Sequence, residues 1–60
     1  MNITEDMIEK ARGCVDPAKK EVSLIDLQRA LNLTFFESLD VRREMEKRGI
    51  VDKSKRKVNQ

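Results

Sequence analysis

Lys53, Lys55, Arg56 and Lys57 place four cations within five positions. Such a cluster neutralises phosphates and releases their counterions, which gives affinity for a nucleic-acid backbone without reading its sequence. The charge is unevenly spread. Residues 1–30 hold five Lys or Arg against six Asp or Glu, and residues 31–60 hold eight against five. From Lys47 onward there are six basic residues and one acid, Asp52. A cationic stretch on a near-neutral body points to a polyanionic partner. The same charges also read as a solvated terminus.

Other chemistry has little to work with. The chain has no His, and Cys14 is its one Cys. Neither a Cys/His nucleophile pair nor a Cys/His metal set can be assembled from that. There is no Gly-rich phosphate loop, and the acids are scattered along helix faces. We therefore expect no enzyme, no cofactor, no metal and no small-molecule substrate. A lone Cys suits a reducing, cytoplasmic setting and reads as a small apolar filler. No apolar run approaches the roughly 20 residues of a membrane span. Glu5 and Asp6 replace the cationic start of a secretion signal.

Sixty residues are expected to make one domain, 1–60, fraying over 1–3 and 59–60. A chain this short buries only about 60% of the surface its unfolded form exposes. Economical packing or a partner chain has to supply the rest.

The elements follow from caps and periodicity. Thr4 caps a first helix carrying Ile3, Met7, Ile8, Ala11 and Val15, with Glu5 and Asp6 in its first turn. Asp16-Pro17 ends it. Val22 reads as a one-residue strand. Ser23 caps a second helix, with Asp26 as an acidic capping-box partner and Leu24, Leu27 and Leu31 inside. Asn32 tolerates the left-handed turn that ends this helix, and Leu33 folds back. Thr34 then caps a third helix with Glu37 at N3. That helix is expected to run from Phe35 to about Arg48, with Gly49 as its stop. Ile50-Val51 and Arg56 to Val58 read as strands around a lysine-rich turn. The fold expected is mainly α with a small β wing: a winged helix-turn-helix of three helices plus short antiparallel strands.

Val22-Ser23, Leu27-Gln28-Arg29, Leu33, Met45-Glu46 and Arg48-Gly49-Ile50-Val51 resemble the C-terminal winged-helix module of the FtsK/SpoIIIE DNA translocases, the gamma domain. The resemblance covers about residues 5–58. It implies a fold that holds short oriented DNA sequences, with the third helix in the major groove and the wing on the backbone, and that also touches a recombinase. Without a translocase motor, the chain looks like a free-standing relative from a phage or mobile element. It departs from the family where bases are read. Phe36, Glu37 and Asp40 stand where the family carries Asn and Arg, and Arg42 stands where it tends to be apolar.

Two functions follow. The first is binding of double-stranded DNA through Thr34, Phe36, Glu37, Asp40, Arg43 and Lys47 on the third helix and Lys53, Lys55, Arg56 and Lys57 on the wing. It suits a regulator or a recombination or segregation accessory factor. The second is binding of a protein, or of a second copy in a homodimer, through Phe36, Leu39 and Asp40. An aromatic residue on the outward side of so small a domain favours such a surface. Arg42 falls inside the apolar arc, so its stem is expected to pack while its head reaches a carboxylate or solvent.

Overall fold

The computed structural model describes residues 2–53. Three helices follow one another as α1 (Glu5–Arg12), α2 (Leu24–Leu31) and α3 (Phe35–Lys47). Each start is a local event. Thr4 Oγ1 accepts the Met7 amide at 3.2 Å. Thr34 Oγ1 accepts the Glu37 amide at 3.2 Å while Glu37 Oε1 accepts the Thr34 amide at 2.9 Å, a complete capping box. Ser23 occupies the N-cap of α2 but makes no side-chain cap bond. The acidic capping box expected there does not form.

Two helix ends use left-handed backbone. Asn32 (φ 57°) closes α2, and the Leu33 amide returns to the Gln28 carbonyl at 2.9 Å. Gly49 (φ 77°) closes α3 in the same way. Its amide reaches Glu46 O at 3.1 Å and the Ile50 amide reaches Met45 O at 2.9 Å, the paired bonds of a Schellman end.

The core is Ile8, Ala11, Leu27, Val41, Met45 and Val51, with Ser38 buried among them. Ser38 is small enough to sit inside, and its hydroxyl donates to the Phe35 carbonyl at 2.6 Å. Ile3, Val22, Leu24, Leu31, Leu33 and Ile50 pack around this centre. Leu27 and Val41, each fully buried, bring α2 and α3 together across it.

The β wing is absent from the described residues, which contain no strand. Val22 forms none; the nearest pairing is an isolated antiparallel bridge between Asp16 and Glu21. Ile50 and Val51 form none either, because their groups are committed elsewhere. The Ile50 amide caps α3 and the Val51 side chain plugs the core. The Asp52 amide donates to Lys20 O at 2.9 Å. A single bond of this kind is not a ladder. The expected return strand at Arg56 to Val58 lies outside the described residues. The described fold is mainly α: a three-helix unit with a helix-turn-helix corner, not a winged one.

Candidate functional site: the outward face of the third helix

At roughly 100° per residue, Val41 and Met45 define the inner side of α3, and Phe36, Asp40, Arg43 and Lys47 form a stripe almost opposite. All four are exposed. Phe36 is 75% exposed, the highest of any large apolar residue described, against 49% for Phe35 and 59% for Ile25 on α2. Helical spacing with Leu39, Val41 and Met45 predicts an inward-facing Phe35. It instead stands beside Phe36, edge to face, with ring centroids 5.6 Å apart. The chain has two aromatic residues, and both lie outside the core. Leu39 is half-buried between the stripe and the helix flank, and it is not among the residues packed on the core cluster.

Four expected DNA-binding residues on α3, Phe36, Asp40, Arg43 and Lys47, thus share one open face. The other two do different work. Thr34 and Glu37 spend their side-chain oxygens on each other's backbone amides, which specifies the start of the helix. Neither Arg43 nor Lys47 is ion-paired to an acid among the described residues. The pairing with Asp40 or Glu44 that their spacing permits does not occur. Lys53 is exposed; Lys55, Arg56 and Lys57 lie outside the described residues.

Arg42 turns its head to Glu46, one turn on, and the pair is mostly shielded from solvent. It joins Phe35 and Leu39 on the flank next to the outward stripe. Sequence spacing suggests this i,i+4 pairing.

A second cluster was not legible. Arg48 Nη1 and Nη2 donate to both carboxylate oxygens of Glu5 at 2.9 and 2.8 Å, and its Nε donates to Glu44 at 2.9 Å. Read alone, Arg48 is a cation suited to a helix C-terminus. In the fold it ties the start of α1 to the end of α3. These bonds and the Arg48 charge hold the Glu5 carboxyl below the usual carboxylate range. They hold the guanidinium above its own. The cluster is structural, since its charges satisfy one another.

Cys14 is half-buried at the end of α1, its Sγ 3.9 Å from the carbonyls of Lys10 and Asp26. Desolvation, and then the Asp26 charge, push its thiol pKa up, which disfavours the reactive thiolate. No described helix is long and apolar enough to cross a membrane. Among the described residues no three acids, His or Cys converge in a group that would hold a metal.

The chain matches no protein-family model, no curated protein and no solved structure.

Proposed function

We propose that the chain is a small helix-turn-helix module that binds duplex DNA, with the outward stripe of α3 facing the major groove. The observation that carries this reading is the α2–α3 corner. Three residues join the helices, with Asn32 left-handed, so α3 projects a stripe away from the core with Arg43 and Lys47 unpaired among the described residues. That is the arrangement a recognition helix uses. Lys53, Lys55, Arg56 and Lys57 add phosphate affinity. The resemblance of its sequence to the gamma domain supports a role as a regulator or an accessory factor of recombination or segregation in a phage or mobile element.

The residues predict the character of the binding. Arg43 and Lys47 suit phosphates and guanine edges, whereas Phe36 and Asp40 suit thymine methyls and cytosine amino groups at best. Asp40 also opposes phosphate, so affinity is mostly electrostatic. Fluorescence anisotropy with labelled duplexes at two salt concentrations tests this. Affinity should fall steeply with salt, and Arg43→Ala or Lys47→Ala should each lower the salt slope by about one unit. Absence of duplex binding at low salt would overturn the reading.

The exposed Phe36 favours a second reading, in which Phe36, Leu39 and Asp40 meet a protein. A ring that is three-quarters exposed gains more from a partner than from water. If Phe36→Ala unfolded the chain, Phe36 would belong to the core and this surface would not exist.

A further inference from the structure

The order of residues along the outward stripe of α3 is self-complementary. From its N-terminal end the stripe reads Phe36, Asp40, Arg43, Lys47. Take a point midway between Val41 and Arg42. Asp40 and Arg43 are equally far from it on opposite sides, and so are Phe36 and Lys47. A two-fold axis level with that point, perpendicular to the helix and just outside the stripe, lays a second α3 antiparallel against the first. Each residue then meets, at the same height, the one equally far from the axis. Asp40 faces Arg43 of the second copy, and Phe36 faces Lys47 of the second copy. Symmetry forms each pair twice.

We propose that the partner of this face is a second copy of the chain, docked antiparallel along α3 in this register. The inference rests on the second reading above and names its partner. Charge complementarity selects a second copy, because a surface that carries its own counter-charges in mirrored order fits itself. Neither Arg43 nor Lys47 is engaged by an acid within the described residues, so both remain available. Lys47 over the Phe36 ring is a cation–π contact, and its aliphatic stem covers the ring's apolar area. Leu39, on the flank of the stripe, widens the apolar contact. The alternative register, with helices parallel, brings like residues together: Arg43 on Arg43 and Asp40 on Asp40. That arrangement repels. Pairing covers Arg43 and Lys47, so a bound duplex and the second copy exclude one another.

Sedimentation equilibrium across concentration, with far-ultraviolet circular dichroism as the folding control, tests the proposal on four proteins. The wild type should self-associate, and Phe36→Ala should raise the dimer dissociation constant by about tenfold or more while remaining folded. Asp40→Arg places Arg opposite Arg, and Arg43→Asp places Asp opposite Asp, so each variant alone should be monomeric. Mixed together they should form a heterodimer, because each Arg then meets an Asp on the other chain. This rescue separates a contact between chains from an effect within one helix. Failure of the mixture to associate would overturn the register. A wild type that stays monomeric at the highest concentration, with folded Phe36→Ala, would overturn the second copy and leave the protein-surface reading intact. Unfolding of Phe36→Ala would overturn both.

Discussion

Arg48 grips Glu5 with both terminal nitrogens of its guanidinium, at 2.9 and 2.8 Å, across 43 positions of sequence. The contact closes the unit, joining the first turn of α1 to the C-cap of α3. It also makes stability depend on pH. The Glu5 carboxyl is held low by hydrogen bonds from Arg48 and then by the Arg48 charge. A carboxylate whose folded pKa is depressed contributes its stability fully above its unfolded value. That contribution is lost as pH falls through the lower, folded one. Melting temperature should therefore drop through and below the ordinary glutamate range, and Glu5→Gln should remove that part of the drop. Glu5 is exposed, so salt screens the effect and it should shrink as ionic strength rises. A variant that tracks the wild type through the acid limb at low salt would show the contact to be inert.

The capping box at the head of α3 separates two roles for Glu37. If Glu37 serves the helix, Thr34→Ala should cost about 1 kcal/mol by stranding the Glu37 amide. Glu37→Gln should cost less, because an amide oxygen still accepts from the Thr34 backbone. Urea titrations followed by circular dichroism give both values. Equal and large losses would contradict the roles drawn from the geometry.

Gly49 offers a cleaner backbone test. A Cβ built on it meets nothing within 4 Å, so space is not the obstacle; the positive φ of 77° is. Gly49→Ala should cost about 1–2 kcal/mol from conformation alone. A D-alanine introduced by chemical synthesis takes the left-handed region without strain and should be at least as stable as glycine. If both enantiomers destabilise equally, side-chain crowding rather than handedness sets the cost.

Leu27 and Phe36 are both large and apolar, and the fold treats them oppositely. Leu27 is fully buried and Phe36 is mostly wet. Leu27→Ala should cost about 2–5 kcal/mol, comparable with the roughly 3–5 kcal/mol a lone core of this size supplies. That variant should be largely unfolded. Phe36→Ala should stay within about 0.5 kcal/mol of the wild type at concentrations where the chain is monomeric. Thermal melts of dilute samples distinguish them.

What sequence reveals here depends on distance along the chain. The Thr4 cap, the Thr34–Glu37 box and the Asn32 and Gly49 ends are settled within a few residues, so residue type and spacing suffice. For Arg42 the spacing left a carboxylate or solvent open, and the structure supplies Glu46, one turn on. The failures are tertiary. Ile50-Val51 has strand composition, yet the Ile50 amide closes α3 and the Val51 side chain is buried in the core. Phe35 sits at the edge of the apolar arc, and the arrangement of α2 against α3, which periodicity does not specify, left it half in water. Glu5 and Arg48 each look like ordinary helix-dipole partners, and nothing local pairs them. Of the site, the outward stripe was legible because helical period alone defines it. That Thr34 and Glu37 would turn to each other's amides was legible as a cap, and the cap is where the structure places them.

The core formed by the described residues contains no aromatic ring. Among the described residues the buried side chains are Ile, Ala, Leu, Val, Met and Ser, while both Phe are exposed and the chain lacks Trp and Tyr. Its aromatic optical signals therefore report the outside of the molecule. Near-ultraviolet dichroism, usually taken as the signature of a packed core, arises here from the Phe35–Phe36 pair at the head of α3. It will respond when something settles on that face and stay comparatively indifferent to loosening within. Spectroscopists following this chain would watch docking in one wavelength region and folding, through its helices, in another.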